Sequence, residues 1–185
     1  MRIIAGEWRG RRLTPVGKGD AGAHLRPTPD RVRESLFSAL SARGALSGSR
    51  VLDLFAGTGA LGLEAVSRGA DCAVFVENGR VGQKLVAGNI SLLKAHDRCH
   101  LVKKDATRLG PCAVDPFDLV FLDPPYGKNL GALAVSSALE TGWISADSLI
   151  VWEEEAPMAP PDGFKLVDQR RYGTTHITLL EPNQP

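Results

Sequence analysis

The sequence predicts an α/β fold, a mostly parallel sheet flanked by helices and closed by an antiparallel last strand. Three observations predict it. Short strand-like runs at residues 51–55, 72–76, 100–104 and 119–122 alternate with stretches of helical periodicity. The first run leads through Gly57 and Gly59 directly into a helical pattern, a strand–turn–helix unit of nucleotide-pocket size. Two final apolar runs, 164–167 and 176–180, read as an antiparallel pair joined through Arg170, Arg171, Tyr172 and Gly173.

With 185 residues the chain is one domain with room for a small appendage. The appendage is expected at residues 1–25, with the main domain at 26–185. No apolar run approaches the roughly 18 residues of a membrane span. The first residues carry charge and lack a signal-peptide core, so a cytoplasmic protein is expected. Cys72, Cys99 and Cys112 are odd in number and lack C-x-x-C spacing, and the four His are scattered. Neither a disulfide framework nor a metal site is expected. The net charge of +1 hides an asymmetry: residues 1–50 hold ten Lys or Arg against four Asp or Glu. A basic segment on a mildly acidic body suggests a polyanion-binding face on a catalytic or cofactor domain.

In chain order, RIIAGEWRGRRLT reads as two short strands around a glycine turn. Arg9, Arg11 and Arg12 cluster near Trp8; arginine bridges phosphates and an aromatic stacks on a base, which fits RNA contact. A tryptophan packed under a hairpin is the alternative. Residues 16–23 are glycine-rich and expected to be mobile. Thr28 can cap the next helix, Pro29 suits its first turn, and Asp30 complements its dipole. Val32, Leu36 and Leu40 form its apolar face, leaving Arg26, Arg31 and Arg33 near the exposed start to hold phosphates or a carboxylate.

The glycine turn admits two cofactors. Gly57, Gly59 and Gly62 match the dinucleotide spacing G-x-G-x-x-G, which suggests NAD. Asp53 argues otherwise: a carboxylate beside the turn repels a pyrophosphate and suits an ammonium group. S-adenosylmethionine carries an amine and a sulfonium and no phosphate. Glu77 ends the second strand twenty residues after Gly57, where an acidic group would accept from both ribose hydroxyls of either cofactor. Residues 80–95 read as a helix despite Gly82 and Gly88. At the end of the third strand Asp105 could receive an adenine amine beside Ala106, or cap its loop.

The most specific stretch is DLVFLDPPY, residues 118–126. A buried strand ends in Asp123-Pro124-Pro125-Tyr126. Two prolines fix the backbone and remove two N–H donors, so nearby carbonyl oxygens stay free to accept. The Asp123 carboxylate and the Pro124 carbonyl can then meet one exocyclic amine of a nucleobase, with Tyr126 as a stacking surface. Residues 129–139 read as a helix and 148–153 as a fifth strand. The run Glu153-Glu154-Glu155 reads as that strand's solvated end, and residues 181–185 as a disordered tail.

Together RIIAGEWRGRRL, RPTPDRVRESLFSAL, VLDLFAGTGALGLEA and DLVFLDPPYGK resemble the RsmD family, over residues 2–180 in one order. These are bacterial 16S ribosomal RNA methyltransferases acting on the guanine N2 amine. The resemblance implies a Rossmann-like class I S-adenosylmethionine-dependent methyltransferase with seven strands and an N-terminal β-hairpin. It implies that Asp53, Phe55, Gly57, Thr58, Gly59 and Glu77 hold the methionine and ribose parts of S-adenosylmethionine. Asp105 and Ala106 would flank the adenine, and Asp123, Pro124, Pro125 and Tyr126 would act on the base, Asp123 also lying against the cofactor. Arg9, Arg11, Arg12, Arg26 and Arg33 are the candidates for RNA contact. The implied partner is 16S rRNA in an assembling small-subunit particle, met by a monomer without membrane or metal. Residues 17–24 look longer or looser than the family pattern. N6-adenine methylation, and an RNA-binding assembly factor with a vestigial cofactor site, are the alternatives.

Overall fold

Seven strands form one sheet in the order β3-β2-β1-β4-β5-β7-β6. They are β1 (Arg50–Leu54), β2 (Cys72–Val76), β3 (Cys99–Val102), β4 (Phe117–Leu122), β5 (Ile144–Glu154), β6 (Phe164–Tyr172) and β7 (Thr175–Pro182). The first five run parallel and β7 inserts antiparallel between β5 and β6. This is the mixed sheet that the resemblance implies. The computed structural model describes residues 1–17 and 28–183. Arg26, most of the glycine-rich stretch, and Gln184 and Pro185 lie outside the described residues.

Successive residues of a strand face opposite sides of the sheet, so β1 feeds two cores. Val51 joins Phe75, Leu119 and Phe121 beneath α1 (Asp30–Ala42), α2 (Ala60–Ser67) and α3 (Arg80–Leu92). Leu52 and Leu54 join Val120, Leu122 and Trp152 beneath α4 (Leu130–Glu140). Helices on both faces explain why the central strands are apolar throughout rather than alternating. The order reverses between β1 and β4, both of which start near the middle, so a crevice opens beyond their carboxyl ends. Register fixes what meets there. Leu54 sits beside Leu122, and Leu122 beside Trp152, so Asp123 and Glu153 follow on neighbouring strand ends.

The N-terminal stretch folds back on itself as an antiparallel hairpin: Ile3 N–H donates to the Arg11 carbonyl at 2.9 Å, Gly10 N–H to the Ile3 carbonyl at 2.8 Å and Leu13 N–H to the Met1 carbonyl at 3.1 Å. Arg2 and Arg12 form its antiparallel bridge pair. Other backbone donors of the stretch go to α2. Ile4 and Ala5 N–H donate to the Glu64 carboxylate at 2.8 and 3.0 Å, and Trp8 N–H donates to Ser67 Oγ at 3.0 Å. The hairpin is bound to α2 as well as to itself. Trp8 is buried in the main core, and the Arg98 guanidinium lies 5.1 Å above its ring, so Trp8 offers no face to a base.

Helix α1 departs from the expectation in two respects. Thr28 does not cap it: Pro29 holds the cap position, and the Thr28 hydroxyl donates to Glu153 Oε2 at 2.9 Å. Arg33 is fully buried, not exposed. It stands three, four and seven residues before Leu36, Phe37 and Leu40, hence on the same inward face. It binds Asp30 at 2.6 Å and the Arg2 carbonyl at 2.8 Å, with Glu64 at 3.7 Å. A guanidinium engaged this way cannot also hold RNA. At the other end of the chain, Glu181 and Pro182 belong to β7 rather than to a loose tail.

Candidate active site

The site begins where β1 ends. Phe55 adopts φ of 60°, a left-handed conformation that costs a non-glycine residue roughly 1–3 kcal/mol. It turns the chain so that Ala56 N–H donates to the Val76 carbonyl at 3.1 Å. Gly57 N–H then donates to Glu77 Oε2 at 2.8 Å, while Gly79 N–H donates to Glu77 Oε1 at 2.7 Å. Gly82 leaves room for this carboxylate, since a Cβ there would come within 2.7 Å of Glu77 Cδ. In the first turn of α2, Gly62 N–H donates to Asp53 Oδ2 at 2.9 Å. A Cβ on Gly62 would fall 2.5 Å from the Phe75 ring, so the third glycine is needed for helix–strand packing.

These bonds decide the ambiguity of the glycine spacing. Two N–H groups that a pyrophosphate would need already face carboxylates, so the turn is electronegative rather than anion-accepting. The nicotinamide reading loses its physical basis. Thr58 is held from behind: the Asn89 side chain donates to its carbonyl at 2.9 Å and accepts from Thr14 N–H at 2.8 Å. Asn89, invisible in the sequence as a site residue, thus joins the glycine turn to the N-terminal stretch. Asp105, at the top of β3, is exposed; its carboxylate accepts from Thr107 N–H and Oγ1 at 2.9 and 2.8 Å, while Ala106 beside it is buried.

Asp123, Pro124, Pro125 and Tyr126 follow β4 directly. The acidic run after Trp152 is not the solvated strand end that its composition suggests. Glu153 and Glu154 are 4% and 7% exposed. Glu153 accepts from Thr28 through Oε2 and from the Tyr126 hydroxyl through Oε1 at 3.4 Å. These partners lie 125 and 27 residues away in sequence, so no local pattern announces them. A cleft of about 200 Å³ opens here, lined by Thr28, Pro29, Tyr126, Glu153, Glu155 and Thr175 among others.

Four carboxylates therefore converge at the ends of β1, β4 and β5. Burial pushes the Asp53 carboxyl up to about 8; the Gly62 N–H opposes the rise and the Glu77 charge adds to it. Asp123 is raised well above the ordinary range, by desolvation first and then by Glu153, Asp53 and Glu154. Glu153 and Glu154 are raised mainly by burial. Among the described residues none of the four pairs with Lys, Arg or His. A site of this kind favours a cationic occupant. The ammonium and sulfonium of S-adenosylmethionine fit it, and Glu77 keeps lone pairs free for a ribose diol.

Of the arginines expected at RNA, Arg9, Arg11 and Arg12 are exposed, Arg33 is buried, and Arg26 lies outside the described residues. No helix among the described residues is long and apolar enough to cross a membrane.

The comparisons with known proteins agree with this geometry. The family model described as Conserved hypothetical protein 95 matches residues 1–181. The ribosomal RNA small subunit methyltransferase D of Haemophilus influenzae is 36% identical over 186 residues, covering 98% of this chain and 93% of the relative. The protein of that name from Escherichia coli is 38% identical over 161 residues, covering 87% and 78%. The solved yhhF chain of Escherichia coli superposes with a TM-score of 0.83 at 34% identity, covering 100% of this chain and 99% of that one. The chain belongs to the RsmD family, with the Rossmann-like fold of class I methyltransferases.

Proposed function

We propose that the protein transfers a methyl group from S-adenosylmethionine to the N2 amine of a guanine in 16S ribosomal RNA, presented by an assembling small subunit. The observation that carries the reading is the pairing of an uncompensated carboxylate pocket at β1 with Asp123-Pro124-Pro125-Tyr126 at the adjacent strand end. Relatives named for small-subunit rRNA methylation support the substrate class.

S-adenosylmethionine supplies an electrophilic methyl group on a sulfonium and leaves as S-adenosylhomocysteine. Asp53 holds the ammonium end, Glu77 accepts from the ribose, and Asp105 and Ala106 bound the adenine. Thr58 and Gly59 form the floor of the turn. Tyr126 stacks on a base already out of its helix. Asp123 and the Pro124 carbonyl accept from the amine hydrogens, drawing the nitrogen lone pair out of conjugation and aiming it in line with the leaving sulfur. Most of the acceleration comes from holding two reactants in this geometry. The methylated amine is acidic enough to lose its proton to Asp123 or to water. Arg9, Arg11 and Arg12, in the 1–25 extension, meet RNA phosphates.

The test uses methyl-labelled S-adenosylmethionine with small subunits from a strain lacking the activity, and with their naked RNA, digested to nucleosides. Label in N2-methylguanosine from subunits is expected. Label in N6-methyladenosine, or none while S-adenosylmethionine still binds, would overturn the reading in favour of an adenine enzyme or an assembly factor.

A further inference from the structure

The guanine reading leaves one question: what recognises the base rather than merely its amine. Asp123 and the Pro124 carbonyl would accept equally from adenine N6. The two bases differ beside that amine. Guanine places a second donor, N1–H, next to N2; adenine places an acceptor, N1, next to N6. A carboxylate alongside Asp123 would accept from the first and repel the second.

Such a carboxylate is present. Glu153 follows Trp152, whose register partner is Leu122, so it stands beside Asp123 across neighbouring parallel strands. It lines the cleft together with Tyr126, the proposed stacking surface. It is held on both oxygens, by the Thr28 hydroxyl at 2.9 Å and the Tyr126 hydroxyl at 3.4 Å. Each oxygen therefore keeps a lone pair for a further donor. No cation among the described residues occupies it. Burial raises its pKa, and the two hydroxyl donors oppose that rise.

Resting on the guanine reading, we infer that Glu153 is the specificity-determining residue of the base pocket: its carboxylate accepts from guanine N1–H and shares one N2–H with the Pro124 carbonyl, leaving the second N2–H to Asp123. The tie to Thr28 brings the start of α1 into the same pocket, so Thr28 and Pro29 bear on base selection.

2-Aminopurine separates recognition from chemistry, because it keeps the N2 amine but offers an acceptor at N1. A site built to pair with a donor strongly rejects an analogue lacking it. The wild-type enzyme is expected to methylate reconstituted subunits carrying 2-aminopurine at the target position at least about 100-fold less efficiently than guanine. In Glu153→Gln the amide oxygen can accept from N2–H while the amide NH2 donates to N1 of 2-aminopurine. The variant should lose guanine turnover and narrow the ratio to within about tenfold. Thermal melting and S-adenosylmethionine affinity of the variant report on folding. Equal losses on both bases, or an unchanged ratio, would overturn the inference. So would wild-type turnover of 2-aminopurine equal to guanine, whether or not the variant folds. N6-methyladenosine as the wild-type product would instead remove the guanine reading itself.

Discussion

The molecule buries carboxylates in two places, and the difference between them separates structure from function. Inside α2, Glu64 is fully buried, yet Arg68 lies at 2.7 Å, Arg33 at 3.7 Å, and two backbone N–H groups complete its shell. At the ends of β1, β4 and β5, Asp53, Asp123, Glu153 and Glu154 are gathered with hydrogen bonds but, among the described residues, no cation. The first group is closed and holds the N-terminal stretch on the sheet. The second reaches the cleft through Glu153 and, among the described residues, has no counter-charge of its own. A buried carboxylate is thus a sign of function only where the protein supplies no counter-charge.

The comparison breaks most visibly at Glu64. Glu64→Ala takes away Arg68's partner at 2.7 Å, removes the second carboxylate beside buried Arg33 and frees two backbone donors, so a loss of about 3–5 kcal/mol is expected. Chemical denaturation would show it, and a loss below about 1 kcal/mol would show that the network is slack. Asp123→Ala should behave oppositely: near-native stability and S-adenosylmethionine affinity, with methyl transfer down by about two orders of magnitude, or roughly 2.7 kcal/mol. Undiminished turnover would remove Asp123 from the chemistry.

A smaller effect is expected at the basic face. Reversing Arg9, Arg11 and Arg12 to Glu should weaken RNA binding about tenfold at low salt and flatten its salt dependence. Arg33 reversal would act through unfolding instead. An unchanged salt slope in the triple variant would mean that the exposed arginines are only a solvated surface.

A separate effect is on stability against pH. Asp53 has a folded pKa of about 8 against an ordinary 3.8, so the folded state binds the proton more tightly. Its contribution to stability is complete below 3.8 and declines as pH rises through about 8. Asp123, Glu153 and Glu154 are raised in the same direction. The melting temperature of the ligand-free protein should therefore fall from pH 5 to pH 8.5, and less steeply in Asp53→Asn.

What the sequence made legible follows the range of each interaction. The β1 strand, its glycine turn and Glu77 lie within some thirty residues, and period and spacing reveal them. The Asp-Pro-Pro-Tyr ending is legible because prolines constrain the backbone by themselves. Glu153 is not, because its burial depends on Thr28 and Tyr126, brought to it by the sheet. A run of three glutamates looks solvated until a strand carries its first two members inward. Arg33 is hidden for a similar reason: its position on the apolar face of α1 was readable from Leu36, Phe37 and Leu40, but Glu64 sits on another helix. The N-terminal hairpin is legible from its glycine turn, whereas nothing local shows that Glu64 and Ser67 take further backbone donors from it.

The most direct test of a cation-accepting pocket is calorimetric titration of S-adenosylmethionine between pH 6 and 8, in the wild type and in Asp53→Asn. A ligand ammonium that needs ionised Asp53 must displace its proton, so wild-type affinity should climb by about tenfold across this range with measurable proton release. The Asp53→Asn profile should be flatter and its affinity lower. An affinity independent of pH in the wild type, with no proton exchanged, would contradict the account.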